Sequence, residues 1–197
     1  MCLRNEKFFC NLIIFFILFS KIAYADSEHK DKVLDYLSSL KFFSASFLQN
    51  DGENLSEGKV YIGKKRVRAE YYSPTKILIV LGEDKAMYYN YELQEDEFFN
   101  PKNTNAWFFY EIFRNPIFFK DGVVETKKNE LIIKKNGVDY DDRIFSTKVY
   151  FEKNPLILRA IEFVVEDSFL KLSIYNHNYN EEFDNDFFKL INPKFLD

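Results

Sequence analysis

Beyond Cys10 this 197-residue sequence has no cysteine, so a disulfide framework, a thiol nucleophile and a thiolate metal site are all excluded from the body of the chain. Histidine is nearly as scarce. His29 and His177 stand far apart and form no metal-ligand spacing with cysteine or carboxylate, and solvated or strand-face positions account for both. The six glycines build neither a Gly-x-Ser-x-Gly elbow nor a phosphate-cradling loop. Asp141-Asp142 and Glu181-Glu182 are neighbours in sequence, which on a strand would point them to opposite faces, so each pair reads as a solvated loop. No catalytic residues, metal or cofactor are expected, and the chain reads as a non-enzyme.

The N-terminus is built differently from the rest. Arg4 and Lys7 precede an apolar run from Leu12 to Phe19, and Ala23-Tyr24-Ala25 gives the small-x-small pattern of a cleaved export signal over residues 1–25. The run is much shorter than the roughly 20 residues of a membrane-spanning helix. Cys10 lies at its basic end, where a lipidated cysteine would not. The mature chain then starts at Asp26, and residues 26–197 suit one domain with no linker or repeat. Without the signal's Arg4, Lys7, Lys21 and Glu6, the 27 basic and 31 acidic residues of the chain leave a net charge of about minus six. Nucleic acid is disfavoured as a partner.

Aromatic residues are abundant, with 23 Phe and 13 Tyr against a single Trp. Their positions inform more than their number, because Lys, Asn, Ile, Phe, Tyr and Asp are enriched together as AT-rich coding would produce. Val33, Leu34, Leu37 and Leu40 recur at helical spacing between Asp26 and Lys41, with Ser27 as N-cap. The period then becomes two: Phe43, Ala45, Phe47 and Gln49 share a strand face, as do Val60 and Ile62, then Val67, Ala69 and Tyr71. Ile77 to Leu81 is apolar on both faces, and Met87 to Tyr91 returns as an aromatic strand. Asn103 to Arg114 reads as a helix apolar nearly all round, through Trp107, Phe108, Phe109, Ile112 and Phe113. It is either permanent core or a movable cover. The strands that follow are Val123 to Lys127, Leu131 to Lys135, Phe145 to Phe151, Leu156 to Val165 and Phe169 to Tyr175. Short connections favour an antiparallel sheet.

Two segments carry a family resemblance. Leu37 to Gln49 (LSSLKFFSASFLQ) and Gly58 to Val80 (GKVYIGKKRVRAEYYSPTKILIV) resemble, in order and spacing, the motifs of the periplasmic outer-membrane lipoprotein carrier family, LolA. The resemblance implies a mainly β fold with helices, in which a curved antiparallel sheet forms an incomplete, half-open barrel under a helical lid. It also implies a monomeric periplasmic carrier of acylated outer-membrane lipoproteins. Its partners would be an inner-membrane lipoprotein-releasing ABC transporter and a LolB-like outer-membrane acceptor, or the outer membrane itself. A general lipid-binding or lipid-sensing module of the same fold is the alternative. Phe47, Val60, Ile62, Val67, Ala69, Tyr71, Ile77 and Ile79 would line the acyl cavity, and Val33, Leu37, Trp107, Phe108, Phe109 and Ile112 would form the lid. The family's lid-locking arginine falls at Lys64, in the cluster Lys64-Lys65-Arg66-x-Arg68. The lock is then assigned to Lys64 or shared with Arg66, unless the cluster is only a charged hairpin turn.

Overall fold

A computed structural model describes residues 27–115, 117–184 and 186–195. The export signal, Cys2, Cys10 and the expected mature start at Asp26 lie outside the described residues. Helix α1 covers 27–39, so Ser27 already stands inside it. There follow β1 (Phe43–Asn50), β2 (Leu55–Ile62), β3 (Val67–Ser73), β4 (Ile77–Leu81), β5 (Ala86–Asn90) and β6 (Glu95–Phe99). A short 3-10 turn (Pro101–Asn103) leads into α2 (Ala106–Arg114). The chain continues through β7 (Val123–Thr126), β8 (Glu130–Val138), β9 (Ile144–Glu152), β10 (Ile157–Val165) and β11 (Ser168–Asn178).

All eleven strands join one curved antiparallel sheet in the order β6-β5-β4-β3-β2-β1-β11-β10-β9-β8-β7. Two meanders, β1 to β6 and β7 to β11, are therefore stitched together where β1 pairs with β11. The outer strands β6 and β7 do not pair, so the sheet stays open. Both are guarded edges: β6 reads EDEFF and β7 has only four residues. The segment that crosses from β6 to β7 contains α2, so the helix over the opening is tethered to both free edges.

Alternation decides which side chains enter the core. Val60 pairs with Ala69 and Ile62 with Val67, all toward the helices, while Tyr61 pairs with Arg68 and Lys59 with Glu70 on the outer side. Phe43, Phe47, Val67, Phe108, Phe151, Leu158 and Ile161 belong to one large buried cluster with Val33, Leu37 and Leu40 of the first helical segment. Gly58 is required here: a Cβ would stand 2.5 Å from the Phe47 ring and 2.3 Å from the Glu70 carbonyl oxygen. That gap lets Phe47 meet Tyr71 edge-to-face at 5.1 Å.

The expected helix from Asn103 to Arg114 is divided. Asn100 caps the 3-10 turn by accepting from Lys102 N, and α2 proper starts at Ala106, whose N–H reaches Thr104 Oγ1 at 3.3 Å. Two features escaped the sequence reading. One is β6, whose acidic composition resembles a loop. The other is the segment after β11, which returns across the outer face of the sheet. There Phe183, Phe187 and Phe188 stack on one another and on Tyr61. Arg66 Nη1 and Arg68 Nη1 donate to the carbonyl oxygens of Phe188 and Phe187, each at 2.6 Å. Leu190 packs on a second cluster of Leu78, Val80, Met87 and Tyr89. This outer strap explains why β4 is apolar on both faces.

Candidate functional site

The inner faces of β1 to β4 and of β10 and β11 enclose a cavity of about 180 Å³. Phe47, Val60, Val67, Ala69, Tyr71 and Ile79 line one wall, as the strand parity predicts. Phe163, Val165, Leu170 and Leu172 line the other, and Ala106 and Phe109 form the roof. The interior is largely apolar, with side-chain polar groups at Gln49, Tyr71, Asn105 and Ser168. Asn105 and Ser168 are exposed, whereas Val67 and Leu81 at the far end are buried; the cavity therefore opens beside the α2 N-terminus. Tyr71 donates to Gln49 Oε1 at 2.8 Å. Burial pushes its phenol up to about 12, which keeps it a neutral donor.

Two expected lining residues fall outside this space. Ile62 is completely buried in the main cluster and does not line the void. Ile77 shares the inner face by its pairing with Tyr71, but it begins β4 at the open end and does not line the cavity. A volume near 180 Å³ is the scale of a cavity that takes a benzene-sized group. A whole acyl chain needs the roof to move.

The expected lid residues divide between packing and roofing. Val33, Leu37, Trp107, Phe108 and Ile112 are all buried in the main cluster. Trp107 stands against Phe108, Phe118, Tyr140 and Phe145 at 4.9 to 6.4 Å. Among the described residues its buried indole N–H has no acceptor, which costs roughly 1 to 3 kcal/mol. Phe109 alone of the six faces the cavity, tilted on Phe163 at 4.9 Å. Helix α1 is fastened separately: Tyr36 meets Phe151 edge-on, accepts from Leu158 N at 3.1 Å and shares a hydrogen bond with Tyr179 at 2.9 Å.

The lock is not where the resemblance put it. Lys64 Nζ lies 5.3 Å over the Phe42 ring and Arg66 is engaged by the outer strap; among the described residues neither donates a hydrogen bond to α1 or α2. The polarity is reversed. Arg114, in the last turn of α2, donates from Nη1 to the carbonyl oxygens of Gly63 at 2.7 Å and Lys64 at 3.3 Å, and from Nη2 to that of Leu40 at 2.6 Å. One guanidinium thus joins the lid helix, the β2–β3 turn and the end of α1. Lys64 takes part through its backbone instead: its carbonyl oxygen is one of the acceptors, while its ammonium lies over the Phe42 ring. Burial lowers the Arg114 pKa to about 10, still charged at neutral pH. Glu111, one turn earlier, is buried with Asn115 Nδ2 donating to it at 2.6 Å, and burial raises its pKa.

No group of residues that could hold a metal ion occurs among the described residues. His177 is half-buried with Nε2 2.6 Å from the Leu158 carbonyl oxygen, and burial lowers its pKa. Glu181 is no free loop residue: Ser44 Oγ donates to it and Lys59 lies 3.7 Å away. Asp141 and Asp142 are exposed in the β8–β9 turn. No helix of the described residues is long and apolar enough to cross a membrane.

No protein-family model matches the sequence, and a search of curated proteins found no match. Among solved structures, the chain is similar to the crystal structure of MucB at 8% identity and a TM-score of 0.47, over 81% of this chain and 62% of that one. It is also similar to MucB in complex with MucA(peri), at 9% identity, a TM-score of 0.45 and coverage of 83% and 59%. For the MucA/MucB complex of Pseudomonas aeruginosa the values are 8%, 0.43, 80% and 60%. The chain spans about three fifths of the length of these structures.

Proposed function

We propose that this protein is a periplasmic carrier that encloses the acyl chains of outer-membrane lipoproteins. It takes them from an inner-membrane ABC releasing complex and hands them to an outer-membrane acceptor or to the outer membrane itself. The observation that carries this reading is an apolar cavity roofed by a helix that is tied to both free sheet edges and held at its far end by one arginine.

The energetics suit exchange rather than permanent storage. At about 0.8 kcal/mol per CH₂, a chain of some 16 carbons gains roughly 12 kcal/mol when fully enclosed. Such a gain would trap the cargo. Opening the roof sets lost contacts of Phe109 and Trp107, and the Arg114 bonds, against that gain; a competent state populated only in part weakens apparent affinity. Release then follows from lid closure, without a nucleotide.

Native mass spectrometry of the protein purified from the periplasm tests the reading. Bound triacylated lipoprotein is expected, together with mislocalised outer-membrane lipoproteins on depletion. Free phospholipid as the sole ligand, with lipoproteins correctly sorted after depletion, would replace the carrier by a general lipid-binding module.

A further inference from the structure

A second cavity, of about 200 Å³, lies outside the barrel lumen, in the cleft where the end of α1 meets the end of α2. Its lining is divided by chemistry. Leu34, Leu37, Ile112, Phe113 and Phe119 form an apolar wall, and Lys41, Lys64 and Arg114 supply cations, with Ser38 and Asn115 beside them. Among the described residues Lys41 and Lys64 make no ion pair. Among the described residues the buried Arg114 Nε has no hydrogen-bond partner, so this guanidinium keeps a donor in reserve while its two Nη atoms hold backbone carbonyls.

The surrounding field has the same sign. Turns at this end of the sheet carry Lys64, Lys65, Arg66 and Lys85, while those at the opposite end carry Asp51, Glu53, Asp141, Asp142, Glu166 and Asp167. Carboxylates also stand near this end: Asp84 is paired with Lys102 at 2.5 Å, Glu83 and Asp184 are exposed, and Glu111 is buried with Asn115 Nδ2 donating to it. Although the chain is acidic overall, anions are drawn toward this cleft.

We propose that the cleft between α1 and α2 binds an anionic amphiphile, its oxyanion head on Arg114, Lys41 and Lys64 and its aliphatic stem on Leu34, Leu37 and Ile112. The head competes with the carbonyls of Gly63 and Leu40 for the same guanidinium. Both sets of bonds use the charged guanidinium, but an oxyanion adds a full opposite charge that a carbonyl oxygen lacks, so occupancy draws Arg114 away from the turn and frees the end of α2. The site does not depend on what the barrel cavity carries.

The test uses the mature protein with decyl phosphate below its micelle concentration, decyl maltoside as neutral counterpart and inorganic phosphate as the head alone. Trp107, the single tryptophan, reports lid position by its emission. Decyl phosphate is expected to bind and red-shift Trp107, while decyl maltoside and inorganic phosphate bind at least tenfold more weakly. The double variant Lys41→Glu/Lys64→Glu, altered only at exposed charges, should lose at least tenfold in affinity, whereas Ala69→Phe, which fills the barrel cavity, should bind as before. Equal binding of the maltoside, or undiminished binding by the double variant, would overturn the proposal. Loss confined to Ala69→Phe would put the amphiphile in the barrel, and equal binding of inorganic phosphate would reduce the cleft to a simple anion site; both outcomes also overturn it.

Discussion

Arg114 Nη2 donates to the carbonyl oxygen of Leu40 at 2.6 Å, and this one bond ties the last turn of the lid helix to the residue that follows α1. The same guanidinium reaches Gly63 on the β2–β3 turn. Three segments distant in sequence therefore depend on one side chain.

Arg114→Met should loosen all three at once. Hydrogen bonds to charged donors contribute about 1.5 to 3 kcal/mol each, and burial keeps these from full solvent competition. A destabilisation of roughly 2 to 4 kcal/mol is expected, which in a domain of this size lowers Tm by about 5 to 12 °C. Hydrogen exchange should rise in α1, α2 and the turn at Gly63. Lys64→Met, removing an exposed ammonium, should stay within about 0.5 kcal/mol of wild type. Thermal melts with exchange mass spectrometry compare the two variants; a larger loss in Lys64→Met would return the lock to the strand side.

Ala69 is half-buried and faces the cavity. Ala69→Phe should occupy the void and abolish uptake of a fluorescent fatty acid, while overpacking costs no more than about 1 to 3 kcal/mol. Titration of the variant against wild type checks this. Undiminished uptake would mean that acyl chains bind elsewhere.

Glu111 gives the lid a pH dependence whose sign is fixed. Burial raises its pKa in the folded protein above 4.5, its ordinary value. Between 4.5 and that raised value the folded state binds more protons than the unfolded one, so this group's favourable contribution is full below 4.5 and is lost as pH rises through the folded pKa. His177, lowered from 6.5 by burial, acts oppositely: its contribution is full above 6.5 and is lost as pH falls toward its folded pKa. Glu111→Gln should raise Tm at pH 7 and leave it unchanged near pH 4. Melts at both pH values test the difference.

The outer strap predicts a solubility defect without a lid defect. Leu190→Asp removes the apolar cover from Leu78, Val80, Met87 and Tyr89 and should increase binding of an apolar dye and promote aggregation. Trp107 emission should not change. Dye fluorescence and light scattering measure the first effect, and a red-shifted tryptophan would show that the strap and the lid are coupled.

The inner face of β1 to β3 was legible in the sequence because a single buried face imposes a strict two-residue period, and Phe47, Val60, Val67, Ala69 and Tyr71 obey it. The apolar crossing helix was legible from Trp107 to Phe113. Arg114 was not: one basic residue in a helix's last turn is favoured by the helix dipole wherever it points, and nothing local specifies its three carbonyl acceptors. The strap was missed because its spacing misleads: Phe183, Phe187 and Leu190 fall at i, i+4 and i+7 as on a helix, yet the described residues there form only turns. Its trace lay elsewhere, in Leu78 and Val80, outward apolar residues that required a cover. Ile62 and Ile77 have the right parity but the wrong height along their strands, which alternation alone cannot specify.

The most direct test of a lid-gated acyl cavity is photocrosslinking in cells with p-benzoylphenylalanine at Ile79, inside the cavity, and at Tyr72, exposed on the neighbouring strand. The account predicts an adduct with outer-membrane lipoprotein from position 79, reduced when Ala69→Phe fills the void, and none from position 72. Equal adducts from both positions, or from position 72 alone, would contradict it.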